Sequence, residues 1–478
     1  MTERLNLMKL KQYLVNYQSE KQYSFFNKYG KIKAESPIYN PNWEQLGELE
    51  QMLNSILTYV KESGTIIIKN WGIYKYDKKP PLLSFTIEGS DTTSDYQILF
   101  YGHIDKVPFG DGWKKGNPEN PNMIDNRFYG RGLSCGFTSI FVLIGSLEAI
   151  LNQGFKYPTI QVILESGFES GSVDLAYLIN KALPGFNYDL IICLDDETPN
   201  ENSVHFLNSM KGSLTFDCKI QTGLRSVHAG TFGGFIPEPF LIYQSILNKI
   251  ENVDYTNNII TIPLLEVDIS EEQKKEAEKT MEDLNGFYNK FPKIESLNLI
   301  GGNKESDNYL YSTLHPSLNI IGCDNIPHIG KGAAVINPYF TFRLNFGIPP
   351  SLKVDEAYER LNNAICTDVK YNASVTNDLI DSCQGFEFNI DSKIWDEINY
   401  NHNEIFGMDA IKFRLARGKN YLQVLKNIFS NAQILCTGYS DIISGKNRKG
   451  DENVSNSYLN SFMCLLAYII NGYTRYKN

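Results

Sequence analysis

The chain has 478 residues, 42% hydrophobic, 21% charged and 13% aromatic, which excludes a disordered polypeptide. Lys and Arg total 45 against 55 Asp and Glu, so the net charge is −10. That balance speaks against nucleic acid as the main partner, because phosphate binding needs a basic surface.

At roughly 100–200 residues per domain, the length predicts two to four domains, or one large domain carrying an insertion. Residues 2–30 are predicted as helix, with polar Gln and Lys between apolar positions. Strands are predicted at 64–69 (GTIIIK), 82–88 (LLSFTIE) and 97–101 (QILFY). Gly, Asn and Pro accumulate over 108–126 and mark a loop. A helix over 138–153 is followed by buried strands at 159–165 (TIQVILE) and 188–195 (YDLIICLD). Strands alternating with helices imply an α/β layer with a mostly parallel sheet.

The pattern then changes. Residues 212–221 alternate as a strand, 238–253 read as a helix, and 270–284 as an exposed, charged helix. Strands at 317–321 and 339–345, a helix at 352–365 and a strand at 369–375 follow, in the manner of a small α+β domain. From about 390 the helical period returns, ending in an amphipathic helix at 457–473. The expected organisation is an α/β domain built from residues 1–210 and 385–478, interrupted by an inserted α+β domain at 211–384.

No apolar run approaches the ~18–20 residues of a membrane span. The N-terminal segment has no apolar signal core, so a cytoplasmic location and no membrane partner are expected. The eight cysteines include no CxxC pair and fall mostly in apolar stretches, the pattern of reduced, buried thiols.

Four polar segments sit where predicted strands end. Gly102-His103-Ile104-Asp105 follows QILFY directly. A His at the carboxyl end of a buried strand points into the crevice where open α/β sheets bind ligands. Asp105 is close enough to orient the imidazole through its other nitrogen, as metal-ligating histidines require. Gly130 to Gly136 (GRGLSCG), Glu165 to Ser172 (ESGFESGS), and Asp195 with Asp196 are the other three.

In this order and at these intervals, the chain resembles the co-catalytic zinc family of aminoacylases, succinyl-diaminopimelate desuccinylases and carnosinase-type dipeptidases. GHIDKVP followed by Trp113 and NRFYGRG is similar to the family's first metal motif and its following turn. LESGFESGS falls at its acidic Glu-Glu-x-Gly-Ser segment, and LDD at 194–196 at its third metal carboxylate. LRSVHAGTFGG (224–234) and INPYFTFRLNFG (336–347) resemble its lid motifs. The resemblance implies a zinc-peptidase-like α/β catalytic-type domain with an inserted α+β lid, and a homodimer through that lid.

Carried over residue by residue, the resemblance places one metal on His103, Cys135 and Asp195, with Asp105 behind His103. The family's bridging Asp is Cys135 here, and Phe168 stands where its general-base Glu belongs. Glu169 matches a ligand of the second metal. That metal's late His should lie in IISGKNRKGDEN (442–453), which contains none. A two-zinc site is therefore not expected, because Glu169 alone cannot hold a second ion. Three readings stay open: one zinc on His103, Cys135 and Asp195; Cys135 as a nucleophile for hydrolysis or acyl transfer; or a catalytically silent site. Glu165 and Glu169 are the candidate bases, and His402 is a remote candidate for a replacement metal ligand.

In the lid, His228 matches a His that stabilises the oxyanion, commonly from the partner subunit. Arg343 matches an Arg that binds a substrate carboxylate. Arg417-Gly418-Lys419-Asn420 falls near a Gly-rich substrate loop, which makes Gly418 and Asn420 substrate-binding candidates. The expected function is a diverged enzyme acting on an amide or peptide-like C–N bond of a small, carboxylate-bearing substrate. The alternatives are a silent binding or regulatory protein and, with replacement ligands, an ordinary zinc dipeptidase.

Overall fold

The computed structural model describes residues 4–91, 96–183 and 185–473. The predicted helical positions Thr2 and Glu3 lie outside them. The chain divides into two compact units: Met1–Leu207, Phe388–Lys412 and Asn420–Asn478 in the first, Asn208–Glu387 and Phe413–Lys419 in the second.

The first unit holds a six-stranded sheet in the order Ile68–Tyr76, Lys79–Ile87, Thr159–Glu165, Gln97–His103, Leu190–Cys193, Gln433–Cys436. The first two strands form an antiparallel hairpin through Asp77 and Lys78, and the second of them, Lys79–Ile87, pairs antiparallel with Thr159–Glu165. The remaining pairs are parallel. Parallel neighbours need a crossover, supplied by the helices Thr138–Asn152 and Leu175–Ala182. Gln97–His103 lies between Thr159–Glu165 and Leu190–Cys193: its own connection runs to the first, and the next connection crosses back over it to the second. That is a topological switch point, where open α/β sheets bind ligands beyond the strands' carboxyl ends. His103 and Glu165 end adjacent strands and are paired in register.

Thr138–Asn152 is largely apolar, and Thr138 through Ile150 are all buried, Glu148 among them. A helix of that composition must be covered on all sides. It packs against Leu7–Tyr17 and the terminal helix Asn456–Gly472. The N-terminal helix predicted as continuous contains a π-helical turn at Gln18–Gln22. That turn directs Gln18 inward, where it donates to the Asn456 carbonyl at 3.1 Å and accepts from Asn460 at 3.0 Å. Ile68–Tyr76 starts near the end of the predicted 64–69 strand, because the apolar triplet leads into the hairpin instead of forming its centre.

The second unit contains a four-stranded antiparallel sheet in the order Ser317–Asp324, Tyr339–Ile348, Gly212–Gln221, Ser374–Cys383. Its core joins Leu214, Phe216 and Phe346 of the sheet to Ile242 and Ile246 of Pro239–Ile250 and Leu361 of Val354–Cys366. The last strand begins later than the predicted 369–375. Asp368, Tyr371 and Asn372 all take positive φ, which turns the chain before the strand starts. The strand itself lies at a sheet edge and is largely exposed, so it lacks the apolar alternation that marks a strand. Phe413–Lys419 also belongs to this unit, tied in by the Lys211 N–H donating to the Leu415 carbonyl at 3.0 Å.

Candidate metal centre

The apolar strand Gln97–His103 carries His103 to the switch point, where it is fully buried. Its Nδ1 lies 3.1 Å from the Asp105 carbonyl oxygen and 3.3 Å from Asp105 Oδ1. Its Nε2 lies 3.0 Å from Asp195 Oδ1. Burial alone would lower the His103 pKa. The Asp195 charge and hydrogen bonds with Asp105, Asp195 and Cys135 outweigh it and hold the pKa well above 6.5. Asp105 also accepts from the backbone N–H groups of Phe168 and Glu169 at 3.2 and 2.8 Å. It therefore contacts both the imidazole and the ESGFESGS loop.

Cys135 is delivered by the GRGLSCG turn, and that turn is pinned by a residue far along the chain. Glu452 Oε1 accepts from the Gly132 and Ser134 N–H groups at 2.9 and 3.2 Å and from Ser134 Oγ at 2.8 Å. Its Oε2 pairs with Arg131 Nη1 at 2.7 Å, with both side chains buried. Gly136 has φ +72°, and a Cβ there would stand 3.2 Å from His103 Cε1. The backbone passes the imidazole in a conformation that suits only glycine.

The Cys135 thiol donates to Asn447 Oδ1 at 3.4 Å. Burial pushes it up to about 12, although His103 pulls the other way. Cys135 precedes Phe137, the cap residue of Thr138–Asn152, and helix-dipole effects are confined to the first turn. This environment keeps the thiol protonated at neutral pH, so it does not prepare a thiolate nucleophile.

Glu165 accepts from Tyr101 Oη in a short hydrogen bond and from Ser172 Oγ at 2.8 Å. Burial and the Asp105 charge raise its pKa to about 8. Phe168 stacks on His103, with centroids 4.1 Å apart and planes at 18°. Glu169 meets Arg448, whose Nε donates to its Oε1 at 2.8 Å. The Glu169 pKa is raised by burial, against the lowering pull of Arg448. Donor atoms of His103, Cys135 and Glu169 lie within 4.8 Å of one another. With Asp195 on His103, the unit gathers imidazole, thiol and carboxylates in one buried cluster, all accepted zinc donors.

The remaining candidates are placed as follows. Asn420 Nδ2 donates to the Gly171 carbonyl at 3.3 Å, so it bonds the end of the acidic loop in the first unit. Gly418 belongs to the second unit and is packed against Cys383 there. His228, also in the second unit, is exposed and accepts the Gly230 N–H on Nδ1 at 3.1 Å. That bond leaves the proton of the neutral ring on Nε2 as a donor. Arg343 pairs bidentately with Asp217 on the neighbouring strand, both contacts at 2.7 Å. His402 is buried, with Nε2 accepting from the Val204 N–H and Nδ1 facing the Met408 carbonyl, so it supplies no metal ligand here.

Sequence reasoning did not identify Asn447, Arg448, Arg131 or Glu452 as site residues. A signal existed for Arg448: a buried Glu without its metal needs another cation, and KNRK lies where the late His was sought. No comparable signal marks Glu452, whose bonds to the GRGLSCG turn span the chain.

Comparison with known proteins agrees with this architecture. The family description Peptidase family M20/M25/M40 matches residues 99–448. The chain is 28% identical over 203 residues to Beta-Ala-His dipeptidase of Homo sapiens, covering 40% of this chain and 39% of that protein. It is 26% identical over 274 residues to Cys-Gly metallodipeptidase DUG1 of Saccharomyces cerevisiae, covering 53% of each. The chain thus spans about half the length of the curated relatives it matches. The solved structure of the dipeptidase Dug1p from Saccharomyces cerevisiae superposes with a TM-score of 0.76 at 17% identity, covering 100% of both chains. Among the described residues, no helix is long and apolar enough to cross a membrane. The family match extends over more than half of the chain and includes every segment of the buried cluster, so this chain belongs to peptidase family M20/M25/M40.

Proposed function

We propose that the chain hydrolyses the amide C–N bond of a small, carboxylate-bearing, peptide-like molecule, using one zinc ion held by His103, Cys135 and Asp195. The observation that supports this most is the contact of His103 Nε2 with Asp195 Oδ1 at 3.0 Å at the sheet's switch point, with the Cys135 thiol hydrogen-bonded to the same imidazole. A zinc ion bound there supplies Lewis-acid polarisation of the amide carbonyl and acidifies a water. Asp105 sets the orientation of His103. Glu165, its pKa raised to about 8 by burial and the Asp105 charge, is the proton acceptor in this reading in its ionised form, which is the minor one at neutral pH. Glu169 stays with Arg448 and holds the guanidinium beside Phe168. His228 contributes an Nε2–H donor for the oxyanion, and Arg343 a guanidinium for the substrate carboxylate. Gly418 and Asn420 are proposed to shape the substrate loop, and the inserted unit to carry a homodimer contact. The names of the relatives support dipeptides as the first substrates to try.

The test is turnover of β-Ala-His and Cys-Gly by zinc-loaded protein and by the His103→Ala and Asp195→Ala variants, with folding checked by circular dichroism. Turnover in the wild type that falls by about a thousandfold or more in both variants is expected, since a lost metal removes the main electrophile. Unchanged turnover in either variant contradicts the assignment. A second reading, ligand binding without turnover, is favoured by one observation: Phe168 stacks on His103 where the family resemblance puts a general base. It predicts saturable dipeptide binding with no hydrolysis in the same assay.

A further inference from the structure

Glu169 is a buried carboxylate, with a side chain only 6% exposed. Such a charge needs a partner of opposite sign or it protonates. It lies within reach of His103 and Cys135, so a metal ion is one conceivable partner. Arg448 already fills that place. Its Nε bonds Glu169 Oε1 at 2.8 Å, and its guanidinium carbon lies 5.8 Å from the Phe168 ring centroid. The Phe168 ring in turn covers His103.

The Arg448 side chain is 35% exposed, but the backbone that carries it is fixed. Its loop is held at several points. Lys446, Arg448 and Asp451 take positive φ, which non-glycine residues adopt only when their surroundings impose it. Asp451 accepts the N–H groups of Lys114, Lys115 and Gly116 at 2.7, 2.7 and 3.2 Å. The Lys449 carbonyl accepts from Arg131 Nη1 at 3.2 Å. The Oδ1 of the adjacent Asn447 accepts a hydrogen bond from the Cys135 thiol. Neighbouring residues of one fixed loop thus engage two of the three donors of the cluster, one by charge and one by hydrogen bonding.

We propose that Arg448 is a fixed cation standing in for a metal ion at Glu169, and that it keeps Glu169 out of any metal's ligand shell. The centre then accepts at most one ion, on the His103 side. Releasing Arg448 converts Glu169 into a ligand. This deepens the one-metal reading but does not need it to hold, because the claim concerns what happens when Arg448 is removed.

The experiment is zinc titration of the full chain against a chromophoric chelator, for wild type, Arg448→Gln, Arg448→Lys, Glu169→Gln and the double variant Glu169→Gln/Arg448→Gln. Arg448→Gln should raise zinc affinity, or add a binding equivalent, by about tenfold or more, the scale on which such neighbours tune metal sites. Arg448→Lys, which keeps the charge, should titrate like wild type. Glu169→Gln should also match wild type, and the double variant should cancel the gain. Unchanged or weaker zinc binding in Arg448→Gln overturns the proposal, and so does a gain that survives in the double variant. Should Arg448→Gln fail to fold, Glu169→Gln decides: a loss of zinc affinity there means that Glu169 ligates despite Arg448. A wild type that binds no zinc sinks the proposed metal chemistry, whereas a gain in Arg448→Gln sustains this inference independently.

Discussion

Glu452→Ala is expected to lower the free energy of unfolding by about 3–5 kcal/mol, the usual cost of removing one partner of a buried ion pair. Glu452 is fully buried and is the only carboxylate paired with Arg131 among the described residues. Its loss leaves the Arg131 guanidinium inside, held by the carbonyls of Lys449 and Phe109 at 3.2 and 2.9 Å. It also frees the Gly132 and Ser134 N–H groups that hold the turn before Cys135. Zinc affinity should fall with stability, because the turn delivers Cys135. Replacing both partners with apolar residues should cost less than the single change, since no charge is then stranded. A denaturant midpoint shift corresponding to less than about 1 kcal/mol for Glu452→Ala would contradict the pinning role, as exposed pairs are worth no more than that.

Gly438→Ala is expected to be comparably damaging, for a steric reason. A Cβ at Gly438 would lie 1.5 Å from the Asp196 carbonyl oxygen and 2.5 Å from its carbon. Those atoms are backbone and cannot rotate away. The segment runs directly beside the Asp195 loop: the Thr437 N–H donates to the Cys193 carbonyl at 3.0 Å, and the Asp196 N–H donates to the Thr437 carbonyl at 3.0 Å. The parallel pairing of Cys436 with Cys193 sets this register. Relief requires the two segments to separate, which moves Asp195 relative to His103. Stability should fall by about 3 kcal/mol or more, at or beyond the upper end of ordinary overpacking. Thermal unfolding reads the first effect and the zinc titration the second. A variant with wild-type Tm and zinc affinity refutes the close approach.

The fold was readable because its signals are local. Runs such as QILFY, TIQVIL and DLIIC identify strands buried on both faces, and the largely apolar Thr138–Asn152 identifies the helix packed over them. The polar residues that follow each run converge because parallel strands present their carboxyl ends together. His103, Asp105, Glu165, Glu169 and Asp195 were therefore visible as a set. Elements without an apolar period were placed less well: the exposed edge strand Ser374–Cys383 and the π-helical turn at Gln18–Gln22 depend on tertiary partners.

Non-local pairings in the site were also invisible. The absence of His from residues 442–453 marks a departure from the resemblance, but does not tell which residue faces Glu169 instead. Arg448 acts on Glu169, and Glu452 on the GRGLSCG turn, across the length of the chain. The Cys135 environment likewise depends on tertiary packing that local sequence does not show. Of the three readings left open for Cys135, a nucleophilic thiol is the one its surroundings favour least, because burial raises its pKa to about 12.

The most direct measurement is anomalous diffraction at the zinc edge from crystals grown with excess zinc. One peak per chain is predicted, bounded by His103, Cys135 and Asp195, with Glu169 still paired to Arg448. Two peaks, or a single ion ligated by Glu169 with Arg448 turned away, would contradict the one-metal centre, and so would the absence of any peak.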